Sequence, residues 1–159
     1  MNHPIKKFVA VALAAGALAV AASAIAQQAP KPEKLITWRQ SAFQVVGWSF
    51  GRVKANVEGQ YNKDEVVKAA NVIAAVSNSS LSTLFAPGTE TGKGTHETAA
   101  KPEVFKDTEK FAEAFGNFKR ESNELAKVAA TGDAAAVKEQ FGKVGRTCKG
   151  CHDDFKAKE

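Results

Sequence analysis

The sequence has few of the residues that ligate metals through sulfur or imidazole. Among its 159 residues are two cysteines, one methionine and three histidines. Both cysteines fall in the single run Cys148-Lys149-Gly150-Cys151-His152, and the other histidines, His3 and His96, lie far from it along the chain. Because a structural zinc site needs about four ligands, this inventory excludes a zinc site built on the two cysteines.

Patterns typical of β-strands and of nucleic-acid binding are also missing. No stretch shows the period-two alternation of Val, Ile and Thr that marks strands. The formal net charge is only +5, and no basic segment is interleaved with aromatic residues. We therefore expect an all-α protein that does not bind nucleic acid. Since no catalytic constellation for turnover is visible, we predict that it is not an enzyme.

The run from Cys148 to His152 has the spacing of a c-type haem attachment site. Two thiols three residues apart can add to the two vinyl groups of haem, and the next side chain can turn onto the iron. We predict one covalent haem c held by Cys148 and Cys151, with His152 as an axial iron ligand. A thioredoxin-like dithiol would need a βαβ pattern that the sequence lacks, which leaves a disulfide without haem as the alternative.

The N-terminus has the pattern of a secretory leader. Lys6-Lys7 precedes an apolar run that begins at Phe8, and Ala24-Ile25-Ala26 forms a cleavage site of small residues. We predict a cleaved signal peptide over residues 1–26 and one domain over residues 27–159, exported to an oxidising periplasm. Removing the two lysines lowers the net charge from +5 to +3, and no membrane association is expected after cleavage. An uncleaved membrane anchor is the alternative, since the run is nearly long enough to span a bilayer.

Apolar residues recur at alternating steps of three and four, the spacing of helices that bury one face. The pattern predicts four long helices, the first ending near Gly59 and the others beginning after the N-cap Asn62, after Pro102 and after the N-cap Asp133. A Ser-, Thr-, Gly- and Pro-rich connection runs from Ser79 to Pro102. We predict an antiparallel four-helix bundle with the haem near the C-terminus. Because such long connections are usually functional or mobile, we expect this one to cover the haem mouth.

The core stripe of the first helix comprises Ile36, Arg39, Phe43, Val46, Phe50, Val53 and Val57. Two further features of this helix stand out. Arg39 occupies a stripe position where an apolar residue is expected. Since a buried unpaired guanidinium is costly, Arg39 should meet an anion, and the haem propionates are the obvious candidates. Trp38, Ala42 and Val45 form a second apolar stripe beside the first. A helix that is apolar on two sides often has a second partner.

The second axial position decides the chemistry of the iron. A strong sixth ligand such as methionine makes a dedicated electron carrier, whereas an open site favours high-spin iron and the binding of small gases. The only methionine is Met1, in the leader, and His96 is the only histidine of the mature chain outside the motif. We predict a five-coordinate iron, with His96 or a lysine as the alternative sixth ligand.

The chain resembles the cytochromes c′, the class II c-type cytochromes, over essentially its whole mature length. Besides the haem motif, the resemblance rests on three segments: Arg39-Gln40-Ser41-Ala42-Phe43, Phe50-Gly51-Arg52 and Phe85-Ala86-Pro87-Gly88-Thr89-Glu90. Two features differ, because the family commonly has Gly where Ala86 stands and a shorter loop than residues 91–100. Six-coordinate members of the class use a methionine in the first helix, which this chain lacks.

The resemblance implies roles for residues outside the motif. Arg39 and Gln40 should lie beside the haem, Phe43 over the vacant distal face, and Lys156 beside the proximal histidine. The family's propionate contacts carry over onto residues of the 91–100 loop, Thr95 and Glu97. The resemblance also implies a homodimer formed through the first two helices.

Two functions fit these features. The haem edge can exchange electrons with a redox partner, and basic residues around the motif can steer an acidic partner toward it: Lys143, Arg146, Lys149, Lys156 and Lys158. A solvated helix face is the plainer interpretation of these residues. Alternatively, ferrous iron binds nitric oxide and carbon monoxide, so that the protein buffers or carries the gas. We predict electron transfer, with gas binding as the alternative.

Overall fold

The computed structural model describes residues 29–158. The predicted signal peptide, residues 1–26, lies outside the described residues. Within the described range, no helix is both long and apolar enough to cross a membrane.

Four long helices and one short helix form the described part of the chain: α1 (Pro32–Glu58), α2 (Lys63–Asn78), α3 (Glu103–Lys106), α4 (Thr108–Thr131) and α5 (Ala134–Phe155). A 3₁₀ turn, Leu81–Leu84, follows α2. Helix α1 packs extensively on α2, α2 on α4, and α4 on α5, whereas α1 and α5 touch much less. The predicted all-α four-helix bundle is confirmed.

The predicted caps are present where the sequence places them. The side chain of Asn62 accepts from the backbone N–H of Glu65 at 3.1 Å, and that of Asp133 accepts from Ala136 at 3.0 Å. Gly132 ends α4 with φ 83°, the left-handed conformation that glycine adopts most easily at a helix C-terminus. These residues fix where α2 and α5 begin and where α4 ends.

The prediction of one continuous third helix from Pro102 is wrong. The chain leaves helical geometry at Asp107 (φ −103°, ψ 64°), which separates the single turn of α3 from α4. The carboxylate of Asp107 accepts from the backbone N–H of Lys110 at 3.3 Å. Aspartate is a good N-cap because it satisfies a free amide of the first turn, so the helix restarts at this residue.

The buried apolar residues form two clusters. The aliphatic cluster joins α1, α2, α4 and α5 and comprises Val46, Val53, Val66, Ala69, Ala70, Ile73, Phe118, Leu125, Ala129, Val137 and Val144. The aromatic cluster lies at the end of the bundle that holds the end of α5, and it comprises Val104, Phe111 and Phe155 with the half-buried Phe85, Phe105 and Phe115 packed against it.

The long connection between α2 and α3 is attached at its middle and at its end. Its middle part is hydrogen-bonded to Arg39 and Gln40 of α1. Its end pairs with the segment after α5, where the N–H of Lys101 donates to Phe155 at 2.9 Å and that of Ala157 to Ala99 at 2.8 Å. The connection therefore spans α1 and the end of α5, two helices that otherwise touch little.

Candidate haem-binding site

The predicted haem ligands lie on the last two turns of α5. Cys148 and Cys151 are half-buried, and His152 is exposed. Cys148 packs against the aliphatic cluster and Cys151 against the aromatic cluster. The two thiols therefore stand where the clusters meet, at an end of the bundle partly open to solvent.

Both cysteines are thiols at neutral pH. Burial raises the pKa of Cys148. Burial, reinforced by the neighbouring Cys148 and Asp154, raises the pKa of Cys151 to about 11. Redox-active dithiols need the opposite, a lowered pKa that supplies thiolate. The environment thus disfavours a reactive dithiol and is compatible with two sulfurs consumed in stable thioether bonds.

The surroundings of His152 favour the neutral form of its imidazole. Although the residue is exposed at the surface, partial desolvation of its ring lowers its pKa most, the charge of Lys156 lowers it further, and Asp153 acts in the opposite direction. Neutral imidazole is the form that ligates metals. Lys156 therefore lies close enough to act on His152 electrostatically, and its place beside a proximal haem ligand stays a prediction.

Arg39 is buried and fully engaged by the long connection. It is 3% exposed, and its Nη1 donates to Leu84 O at 3.2 Å and Thr89 Oγ1 at 2.7 Å. Its Nη2 donates to Thr89 O at 2.8 Å and Thr98 Oγ1 at 2.6 Å. Burial lowers the pKa of Arg39, and the charge of Glu90 opposes this. The expected charge compensation thus comes from four neutral oxygens with Glu90 nearby, and a haem propionate contact stays a prediction.

Gln40 holds the tip of the connection. Its Oε1 accepts from the backbone N–H of Thr95 at 2.8 Å and from the Thr95 hydroxyl at 2.9 Å, and its Nε2 donates to His96 O at 2.9 Å. Glu97 is exposed and pairs through its backbone with Lys93. The structure therefore brings Gln40 and Thr95 together, while Glu97 belongs to the loop's own turn.

Phe43 is more exposed than its stripe position predicts. Its side chain is 37% exposed, and its ring meets Phe85 edge-on with centroids 6.3 Å apart. Phe85 lies 5.0 Å from Phe111, which lies 5.4 Å from Phe155. A row of four rings thus links α1 to the end of α5, and Phe43 has an open side because α1 and α5 touch little.

The sequence reasoning missed the residues that complete this site. Phe85 was singled out only as the first residue of a segment that carries the family resemblance, although the cation of Arg39 lies 4.7 Å from its ring centroid. Thr89 is fully buried and shares two bonds with Arg39. Their only signal is the Phe-Ala-Pro-Gly-Thr segment, whose partner lies about 50 residues away and cannot be read from local periodicity.

These residues fit a haem better than a bare metal ion. Within residues 29–158, no three His, Cys, Asp or Glu side chains group as a metal site. In haem, four porphyrin nitrogens already ligate the iron, so the protein needs to supply only axial ligation, apolar contacts and thiols. His152, the ring row and the two cysteines supply these three needs.

A polar groove runs along α4 and α5 beside the cysteines. It has a volume of about 440 Å³, and Gly150 and Cys151 line it together with four cationic residues: Lys110, Arg120, Lys143 and Arg146. Glu113, Glu121 and Asp154 also line it. One sulfur predicted to hold the haem therefore borders a groove of mixed charge with an excess of cations.

The chain is similar to known cytochromes c′. The family model described as Cytochrome C' matches residues 34–156. Cytochrome c′ of Rhodocyclus tenuis is 62% identical over 130 residues, which cover 81% of this chain and 98% of that protein.

Solved structures of cytochromes c′ are also similar to this chain. One cytochrome c′, described as having a ligand-controlled dimer dissociation, superimposes with a TM-score of 0.78 at 46% identity, covering 81% of this chain and 98% of that one. The nitric oxide complex of a mutant of cytochrome c prime from Alcaligenes xylosoxidans gives a TM-score of 0.73 at 32% identity, covering 81% of this chain and 98% of that one.

Proposed function

The chain belongs to the cytochrome c′ family, and its cofactor is haem c. We propose that Cys148 and Cys151 hold this haem through thioether bonds and that His152 ligates its iron. When bound, the haem supplies an iron that can take up an electron or a diatomic gas. The half-buried thiols and the neutral imidazole at the end of α5 support these roles.

We further propose that the iron is five-coordinate and transfers electrons, with Phe43 guarding its distal side. The observation that carries this proposal is the placement of Phe43, which stands at the start of the ring row with one side free. A phenyl ring excludes water and offers no ligand atom. Met1 is the sole methionine of the chain, so a methionine ligand from the first helix is not available.

Carbon monoxide association tests the role of Phe43. Stopped-flow rates are compared for the wild type, Phe43→Ala and a control, Phe50→Ala, whose ring lies on the same helix and stacks on Phe141 at 4.2 Å. We expect faster binding only in Phe43→Ala, and a displacement cost of about 1.4 kcal/mol corresponds to about tenfold in rate. Equal rates in wild type and Phe43→Ala would show that Phe43 does not guard the iron.

Nitric oxide binding is the second candidate function. It is favoured by the structural neighbour in complex with nitric oxide, at 32% identity, and by a guarded site that only a strongly bound ligand can open. Cells with and without the protein separate the two functions. Loss of nitric oxide tolerance with normal growth supports buffering or carriage of the gas, whereas impaired growth with normal tolerance supports electron transfer. The relatives are named as cytochromes, and we propose no catalytic turnover.

An acidic redox partner is proposed to dock at the groove beside Cys151. Of the basic residues around the motif, Lys149 pairs with Asp153 and Lys143 with Glu139. Arg146 lines the groove and makes no hydrogen bond or ion pair within the described residues. Its free guanidinium can receive a carboxylate of a partner. Electron transfer to an acidic protein should then slow in Arg146→Glu and with rising salt, and an unchanged rate would remove this docking site.

A homodimer through α1 and α2 is proposed from the second stripe. Of the residues of this stripe, Trp38 and Val45 are 48% and 43% exposed, and a two-fold helix pair would bury them. A cytochrome c′ of similar structure has a ligand-controlled dimer dissociation. Sedimentation of Ala42→Glu should show weakened dimers, while Ala55→Glu on an exposed part of the same helix should not. A wild type that is monomeric at every practical concentration would refute the dimer.

Export to the periplasm is proposed from the leader. Cleavage near Ala26 would leave the domain of residues 27–159, free of the membrane, to receive its haem after export. The intact mass of the purified protein should equal the chain from about Gln27 plus one haem. Haem that is extracted by acidified acetone would instead contradict covalent attachment.

A further inference from the structure

We infer that Lys101 positions His152 by holding the last turn of α5, an inference that rests on the proposed ligation of the haem iron by His152. Lys101 reaches this turn twice. Its backbone N–H donates to the carbonyl of Phe155 at 2.9 Å, and its ammonium donates to the carbonyl of Asp153 at 2.8 Å. A helix end leaves its last carbonyls without partners, and Lys101 satisfies two of them from outside the helix.

The pairing extends on both sides of Lys101. Ala100 and Lys156 form an antiparallel bridge, and the N–H of Ala157 donates to Ala99 O at 2.8 Å. Within the helix, the N–H of Lys156 donates to His152 O at 3.1 Å. The point where α5 ends, three residues beyond His152, is therefore set by the segment 99–101.

His152 depends on this backbone because core packing does not hold its side chain. The imidazole is exposed, whereas Phe155, in the same turn, is 4% exposed and packs against Phe111. The ring of Phe155 anchors the turn in the aromatic cluster. This packing does not involve the backbone carbonyls at the end of the helix, which Lys101 contacts. The direction of the imidazole thus follows the backbone of a turn that the connection closes.

Two ion pairs also reach the same turn. Lys149 pairs with Asp153 inside α5 at the i, i+4 spacing, so this pair does not attach the turn to another element. Lys110 of α4 pairs with Asp154 at 3.1 Å, and both side chains are about half exposed. Exposed pairs contribute little to stability. The ammonium of Lys101 instead bonds a backbone carbonyl, where it also complements the negative end of the helix dipole.

Substitution of Lys101 should change the iron–histidine bond. Loss of a residue that orients a metal ligand typically lowers metal affinity or activity roughly 10–100-fold. In Lys101→Met the main-chain pairing remains while the bond to Asp153 is lost. We expect the iron–histidine stretching band of the ferrous protein to move to lower frequency and to broaden, and the midpoint potential to shift.

The experiment uses holoprotein, with resonance Raman spectra and potentiometry on wild type, Lys101→Met, Lys101→Arg and Lys106→Met. Lys101→Arg keeps a cationic donor and should retain the wild-type band. Lys106→Met removes an exposed lysine of α3 and should have no effect. Ala157→Pro removes the donor to Ala99 and should also disturb the band. Proline is acceptable there because Lys156 already has the extended conformation (φ −116°, ψ 128°) that a residue before proline requires.

The outcomes separate this inference from the proposed function. If Lys101→Met lowers the melting temperature but leaves the band and the potential unchanged, Lys101 is only structural and the inference is overturned. An equal shift in Lys106→Met would show a general charge effect and overturn it as well. A wild type without any iron–histidine band would instead refute the ligation by His152 on which the inference rests.

Discussion

The two clusters of the bundle are closed in different ways. In the aliphatic cluster Val53, Val66 and Leu125 are 0% exposed, and four helices meet around them. In the aromatic cluster Phe111 is 8% exposed, and its neighbour in the ring row, Phe85, is only half-buried. The first is sealed by helix packing alone, whereas the second depends on a connection between helices.

This difference suggests that the aliphatic cluster serves mainly stability, whereas the aromatic cluster serves mainly the ligand site. Apolar side chains that interdigitate contribute free energy without demanding specific partners. The aromatic end contains the buried cation of Arg39, which must be satisfied by hydrogen bonds, and these bonds tie the connection to α1. Cys148 touches the aliphatic cluster and Cys151 the aromatic one. The proposed haem therefore lies between the cluster sealed by helix packing and the cluster closed by the connection.

The largest expected effect tests whether the aliphatic cluster carries stability alone. Leu125→Ala should lower the free energy of unfolding by about 2–5 kcal/mol, because it removes a fully buried side chain and leaves a cavity. Chemical denaturation measures this loss. The haem spectrum and the carbon monoxide association rate should stay unchanged. A changed association rate would show that the two clusters are coupled.

An intermediate effect is expected at the aromatic end. Arg39→Met removes four hydrogen bonds and leaves the buried Thr89 without its donors, which should lower the free energy of unfolding by about 2–3 kcal/mol. Unlike Leu125→Ala, it should also change the carbon monoxide rate, because the connection loses its attachment to α1.

The control for Arg39 is Arg52→Met on the same helix. The guanidinium of Arg52 is partly exposed, pairs with Glu65 and lies 5.3 Å from the ring centroid of Trp48. Its loss should change neither the gas rate nor the stability by more than about 1 kcal/mol. Equal effects of the two substitutions would mean that burial of Arg39 has no special role.

The smallest effect concerns a polar contact between α4 and α5. Gln140 is 4% exposed, and its Nε2 donates to Glu121 Oε2 at 2.8 Å and to Glu121 O at 3.1 Å. The hydrogen bond from Gln140 is the largest cause that lowers the pKa of Glu121. A carboxyl whose pKa is lowered by folding adds stability above its unfolded pKa and loses it as the pH falls through the folded value.

Gln140→Leu should therefore cost about 1 kcal/mol at pH 7, and the difference from wild type should shrink as the pH falls below about 4. Thermal denaturation at several pH values measures it. Gln44→Leu, at an exposed position of α1, is the control. A difference that persists at low pH would show that packing, and not the carboxylate, is responsible. Gas binding should be unaffected, since the contact lies outside the ring row.

The sequence predicted the helices, their caps and the haem motif because each depends on a local pattern of residues three or four positions apart. Asn62 and Asp133 bond to amides three residues ahead. It also identified Arg39 as a buried cation from its place on an apolar stripe, and 3% exposure confirms it. The break at Asp107 was missed because the apolar spacing continues across it, and spacing alone does not reveal a competing cap.

Contacts between distant parts of the chain were decided by tertiary structure. Arg39 bonds to Leu84 and Thr98, which are 45 and 59 residues away, and Lys101 bonds to Asp153 over 52 residues. No local pattern specifies these partners, because they meet only after four helices have packed and placed both ends of the connection. The same packing leaves α1 and α5 apart near Phe43, so its ring is exposed where its stripe predicted burial. The sequence by itself thus determined the four long helices and the haem motif, and the topology of the bundle decided what surrounds that motif.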